Sequence, residues 1–153
     1  MTLPVCVEIG SRLWAWAAAM RPLKYMLPLH TLVQLARRPA RGRGRDPEFE
    51  RRLERFLGAA GPFPRRPPGN CLERSLGAYR LLCAADAAPM LVIGLRKAES
   101  RIEGHVWVEV DGRALAEQPA NLATYMPIFS FDHDGKQATG NASAELPAGV
   151  RFA

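Results

Sequence analysis

Residues 104–113, Gly104-His105-Val106-Trp107-Val108-Glu109-Val110-Asp111-Gly112-Arg113, decide how the chain is read. Val106, Val108 and Val110 alternate with His105, Trp107 and Glu109, the period-two pattern of a strand with two different faces. Asp111-Gly112 is a favoured hairpin dipeptide, because a tight primed turn needs positive φ at both positions. Residues from Arg113 to about Gln118 are therefore expected to return as the next strand. Upstream, Met90 to Arg96 (MLVIGLR) is a short apolar run and reads as a buried strand. Before it, Asn70 to Ala85 carries Leu72, Leu76, Tyr79 and Leu82/Cys83 on one helical face. Helix followed by three strands gives an α+β class: a helix packed on an antiparallel sheet.

The front half is different in kind. Among the 153 residues, positions 1–66 hold 13 Lys+Arg against 5 Asp+Glu, and positions 67–153 hold 8 against 10. A basic front and a near-neutral back point to two jobs. Ser11 to Ala19 reads as a helix with Ser11 as N-cap, and Pro22 and Pro28 should break or kink any helix beyond Ala19. His30 to Arg37 reads as a second short helix. Arg37 to Arg45 has no apolar period and is a loop with five arginines. Asp46 caps a third helix with Pro47 in its first position, running to about Leu57 through Phe49, Leu53, Phe56 and Leu57. Gly58 to Gly69, with four prolines, reads as a stiff extended linker. From about His133 onward, Gly, Ala and Ser dominate and little order is expected. The division is thus a helical basic region (1–66), a core (67–132) and a tail (133–153).

A hydrophobic content of 48% excludes a wholly disordered chain. The apolar run Leu13 to Met20 ends at Arg21, far short of the ~20 residues that a spanning helix needs. No export signal is evident, and three cysteines are too few for a secreted disulfide framework, so a reduced, cytoplasmic setting is expected.

Cys71 follows Asn70 at the start of a helix. Asn70 can cap that helix, and Glu73 three residues on completes a capping-box pattern. The helix dipole at this position favours thiolate, the nucleophilic form. His105, on the strand face opposite the valines, can take the thiol proton and later protonate a leaving amine. Cys6, Cys83, His30 and His133 read as structural. A third group should orient the imidazole. With a two-residue turn at Asp111-Gly112, His105 faces Gln118; with a three-residue loop it faces Glu117. Asp111 and Asp132 are weaker candidates on position.

Three stretches together resemble one family. Cys71-Leu72-Glu73-Arg74-Ser75-Leu76, Leu91-Val92-Ile93-Gly94-Leu95-Arg96 and Gly104 to Arg113 are similar to the core of the lasso-peptide leader peptidases, the stand-alone B proteins of lasso peptide biosynthesis. The likeness spans about residues 68–128. It implies a papain/transglutaminase-like cysteine protease core that removes the leader from a ribosomally made precursor. The family's Cys-His-Asp triad falls on Cys71, His105 and, where Asp is usual, Glu117. Glu keeps the charge and adds one methylene, which favours the three-residue loop. The resemblance further implies a thioester acyl-enzyme and no cofactor or metal. An oxyanion hole would come from the Cys71 N–H, with the Asn70 side chain as a weaker donor. It also implies two partners besides the precursor: a separate leader-recognition protein and a cyclase of the asparagine-synthetase type.

The basic loop admits other readings. Arg37, Arg38, Arg41, Arg43 and Arg45 can dock an acidic partner or the precursor leader. They can also hold phosphate, but no interleaved aromatic platform or helix-turn-helix supports a nucleic-acid partner. No CxxC or HxxxH spacing supports a metal site. The departure at Glu117 leaves one rival of a different class, a catalytically silent transglutaminase-like subunit that binds peptide or assembles a maturation complex.

Overall fold

The computed structural model describes residues 3–39, 41–42, 44–58, 70–139 and 151–152. Arg43, the proline-rich stretch 59–69 expected to be a linker, and residues 140–150 lie outside the described residues. The helices are α1 (Leu3–Met26), α2 (Leu29–Ala36), α3 (Pro47–Gly58), α4 (Cys71–Ala84) and the short α5 (Pro119–Leu122). The strands are β1 (Met90–Ala98), β2 (Arg101–Val110), β3 (Arg113–Ala114), β4 (Met126–Phe131), β5 (Gln137–Thr139) and β6 (Arg151–Phe152). Five of them form an antiparallel sheet in the order β3-β2-β1-β4-β5, and β6 lies parallel to β2. The expected α+β core with a helical N-terminal region is what the chain adopts.

β1 is central because β2 pairs with one side of it and β4 with the other. That explains its unbroken apolar sequence: Leu91 and Ile93 face the main core, and Val92 packs with Trp107 and Tyr125 on the opposite face. α4 supplies Leu76, Tyr79 and Leu82 to the main core, where they meet Val106, Val108, Phe129 and Phe131. Strict alternation along β2 thus separates the valines from His105 and Trp107 as its sequence predicts. The loosely ordered tail expected after His133 begins instead with a tight turn, in which Asp132 Oδ1 accepts from the N–H groups of Asp134 and Lys136, and continues into β5.

Two N-terminal expectations need correction. α1 starts well before Ser11, whose hydroxyl donates back to the Glu8 carbonyl at 3.0 Å instead of capping. The helix also runs through Pro22 to Met26. Pro22 and Ala18 both lie on the exposed side, where water can satisfy the carbonyl left without an N–H partner. The buried stripe Ile9, Leu13, Ala17 and Met20 holds α1 in place, and burial of this kind outweighs the local cost of one proline. Asp46 does cap α3, accepting from the N–H groups of Glu48 and Phe49, each at 3.0 Å.

The capping box at α4 is only half realised. Asn70 Oδ1 accepts from the Glu73 N–H at 3.2 Å, but the Glu73 side chain turns away to α1. There its Oε1 accepts from Lys24 Nζ at 2.6 Å, and Arg21 Nε stands 3.9 Å from Oε2. Glu73 is 2% exposed, so this ion pair clamps the end of α1 onto the start of α4. Burial pulls the Lys24 ammonium pKa down, but Glu73 more than offsets this and holds it above its ordinary value. Lys24→Met should therefore cost about 3 kcal/mol in urea denaturation, the penalty for stranding a buried charge. The double variant Lys24→Met/Glu73→Leu should recover most of it. A double variant no more stable than the single one would show that the clamp is not an electrostatic one.

Candidate active site

Cys71 is the first residue of α4 and is 3% exposed. Asn70, in extended conformation, starts the helix there and frees the orphan first-turn N–H groups, including that of Cys71, to point out of the helix start. Asn70 commits its side-chain oxygen to the cap, so only its amide N–H groups remain to face a ligand.

α4 meets β2 along that strand's outer edge. β6 covers the edge at Glu103 and Gly104. The buried Ser75 hydroxyl donates to the Val106 carbonyl at 2.8 Å, and the Leu115 N–H donates to the Val108 carbonyl at 2.9 Å. β3 completes the edge at Glu109 and Val110. β3 is only two residues long, so the first turn of α4 takes the place that a longer strand would fill. This brings the thiol at the start of α4 to the ring of His105 on β2.

The hairpin settles the register. Val110 pairs with Arg113 and Glu109 with Ala114, a strict two-residue turn with φ of 53° at Asp111 and 74° at Gly112. The three-residue loop is therefore wrong, and with it the inference that Glu117 needs that loop to reach His105. The return strand does not continue to Gln118 either. It stops at Ala114, and Ala116 adopts φ of 57° in the left-handed region. This residue re-aims the chain, so Glu117 rather than Gln118 turns inward. Glu117 Oε1 lies 3.2 Å from His105 Nε2, while Gln118 is exposed at the start of α5. The N–H direction misses the oxygen, so Nε2 lacks an aligned hydrogen bond and the contact is that of a close counter-charge. The same oxygen is 3.7 Å from Arg74 Nη2.

Burial works against charge on the His105 ring, but the Cys71 thiol and the Glu117 carboxylate together outweigh it and raise its pKa to about 9. With Nε2 turned to Glu117, Nδ1 is the nitrogen left for the sulfur. The structure thus brings Cys71, His105 and Glu117 together. Asp111 and Asp132 are elsewhere: Asp111 pairs with Arg45 at 2.7 Å, and Asp132 holds the turn before β5. Cys83 is buried in the core with its thiol 3.7 Å from the His133 carbonyl, and His30 is exposed. Among the described residues, no group of three or more His, Cys, Asp or Glu side chains gathers to hold a metal ion.

Three neighbours escaped the sequence reading. Arg74 stands three residues after Cys71, a spacing that puts both on adjoining faces of α4, and that signal was available. Trp107 and Tyr125 wall the imidazole, with ring centroids 6.0 and 5.1 Å from it, and Arg96 lies 4.6 Å over Tyr125. Tyr125 comes from the segment between α5 and β4, which no local pattern links to β2.

The match to known families agrees with this geometry: residues 14–130 match the transglutaminase-like superfamily. The chain belongs to that superfamily. No curated protein and no solved structure matches it. The superfamily match takes in α1 from Trp14 onward as well as the helix, sheet and site. The transglutaminase-like superfamily often includes cysteine peptidases and transglutaminases.

The wall of this transglutaminase-like site is tightly packed. Gly94 pairs with His105 across β1 and β2. A Cβ there would come within 2.9 Å of the Trp107 ring and 3.0 Å of Tyr125. Gly94→Ala must displace the Trp107 ring and the Tyr125 side chain, both of which flank the imidazole. It should cost about 1–3 kcal/mol in stability, as overpacking does, and should depress turnover beyond what unfolding explains. A variant with wild-type stability and turnover would show that the two rings give way freely.

Of the five arginines read as a docking loop, Arg37 meets Asp134 at 3.2 Å, and Arg45 meets Glu50 at 2.6 Å and Asp111 at 2.7 Å. These two brace the fold. Arg38 and Arg41 are exposed and have no carboxylate partner among the described residues, and Arg43 lies outside those residues. No described helix is long and apolar enough to cross a membrane.

Proposed function

We propose that this chain is a cysteine peptidase that removes the leader from a ribosomally made lasso-peptide precursor, acting in the cytoplasm with a separate leader-recognition protein and a cyclase. The observation that carries the reading is the placement of Glu117 at 3.2 Å from a histidine that also neighbours Cys71. A silent scaffold has no need of a carboxylate delivered to the imidazole by a left-handed turn at Ala116. The resemblance of the Cys71–Leu76, Leu91–Arg96 and Gly104–Arg113 stretches supplies the substrate class.

The chemistry derives from the groups present. The Cys71 Sγ–H proton passes to His105, and the sulfur attacks the carbonyl carbon of the leader's last residue. The oxyanion is met by the Cys71 N–H, with the Asn70 amide as a second donor. As the C–N bond breaks, His105 gives its proton to the departing amine of the core peptide, leaving the leader as a thioester on Cys71. Water then attacks the thioester. His105 takes a proton from it and returns one to the sulfur, which releases the leader as a carboxylic acid. Glu117 stabilises the charged ring in both halves of the cycle. An amine could resolve the same thioester, as in transglutaminases; the expected co-reactant here is water.

The test is a cleavage assay on a lasso precursor peptide, with and without the recognition protein. Separate leader acid and free-amine core are the expected products. An amide cross-link, or no product under any combination, contradicts the peptidase reading.

A further inference from the structure

We infer that an open groove between α1, Arg38 and Arg41, and the second half of α4 is a docking site for an acidic, apolar-bearing segment of a partner polypeptide. The groove holds about 370 Å³, with Arg12, Arg38, Arg41 and Arg80 around it and Trp16 and Ala19 on its floor.

Its charge is not balanced from within. Five arginines outside the groove, Arg45, Arg74, Arg96, Arg101 and Arg113, each meet at least one carboxylate. In the groove, Arg80 is half-buried and donates only to the Leu35 carbonyl, at 3.0 Å. Among the described residues no carboxylate faces it. Burial and the nearby Arg38 both disfavour its charge. Arg12 is met by the exposed Glu8 at 2.8 Å, and no carboxylate is among the groove's own lining residues. Cations crowded together in a partly shielded groove are relieved by a counter-charge that arrives from outside.

The shape selects polypeptide over nucleic acid. The Arg80 guanidinium already lies 4.7 Å over the Trp16 ring and occupies a face on which a base would stack. Ala19 and its neighbours instead leave a shallow apolar floor that side chains can enter. The Trp16 Nε1–H is buried without an acceptor among the described residues. Arg80 is nine residues beyond Cys71, about 14 Å along α4 and half a turn round it. The groove therefore opens away from the thiol and holds a partner segment distinct from the bond being cut. The inference does not rest on the peptidase reading, and its test reads binding alone.

The probe is a fluorescein-labelled peptide of alternating Glu and Leu, followed by anisotropy on the full chain, with its Gln-for-Glu counterpart as comparison. The acidic peptide should bind and the Gln peptide should bind about tenfold more weakly. Arg38→Glu/Arg41→Glu should lower affinity about tenfold, while the charge-matched Arg51→Glu/Arg55→Glu on α3 should change it less than about twofold. Ala19→Trp, which fills the floor without altering charge, should weaken binding about as much as the groove reversal. All of these positions are exposed, and unchanged thermal unfolding verifies that each variant is folded. The proposal is overturned by absent binding of the acidic peptide, by equal loss in the α3 pair, or by indifference to Ala19→Trp. An RNA oligonucleotide that binds more tightly than the peptide and loses as much to the Arg38/Arg41 reversal would make the groove a nucleic-acid site instead.

Discussion

Cys71→Ala should abolish leader release while leaving association with partners intact. The loss expected is on the order of 10⁴-fold or more, because residual turnover would come only from binding and oxyanion stabilisation. His105→Ala should fall almost as far, and combining the two should add little, since groups that act as one unit are not additive. The side chain of Cys71 is small and sits at a helix start, so its truncation removes chemistry and little packing. A Cys71→Ala chain that still cleaves would move the nucleophile elsewhere, and Cys83 is badly placed to take over. It lies in the core, and burial pushes its thiol up to about 11, away from the reactive form.

Glu117→Gln carries the second large effect. An amide in place of the carboxylate keeps the size but cannot stabilise the imidazolium, and turnover should drop by roughly 10³-fold or more. Gln118→Ala should change turnover less than about twofold, because Gln118 is exposed and points away from the ring. The pH profile separates this role from a merely structural one. In the folded chain the His105 ring holds its proton up to about 9, against an ordinary value of 6.5. The basic limb of the activity profile should therefore lie near pH 9 in the wild type and move toward lower pH in Glu117→Gln. The same shift is linked to folding. A ring that binds its proton more tightly when folded contributes stability that is complete below about pH 6.5 and is lost as pH rises through about 9. Urea midpoints measured across that interval should fall more in the wild type than in Glu117→Gln. A limb that does not move would detach Glu117 from the ring.

How much of the fold and site was legible in the sequence depended on how local each cause is. The start of α4 was legible because Asn70 and its cap act within one turn. The strand β2 and its turn were legible because alternation and Asp-Gly chemistry are local too. The course of the chain past Ala114 was not, since nothing in Leu115-Ala116-Glu117 announces a left-handed alanine. From sequence, the third group was tied to the hairpin register, and the resemblance that pointed to Glu117 favoured the longer loop with it. The structure separates the two, with a two-residue turn and a glutamate that reaches the ring all the same. Pro22 misled for a related reason. Its cost is local and small, while the Ile9–Met20 stripe that overrides it is buried by α4 and other elements distant in sequence. β4 and β5 show no strong pattern of their own. β4 takes its place beside β1 by sheet pairing across more than thirty positions, seen in Leu91 opposite Phe131, and β5 adds on as the strand after it. The wall of Trp107 and Tyr125 around His105 depends on the same long-range pairing.

The most direct measurement is the intact mass of the chain, quenched in acid during turnover of its precursor with the recognition protein present. Hydrolysis through Cys71 predicts a transient adduct equal to the leader acid minus water. Peptide mapping should place it on Cys71, and it should be sensitive to hydroxylamine and absent from Cys71→Ala. Leader acid that accumulates with no such adduct, or an adduct carried by another residue, would contradict the account.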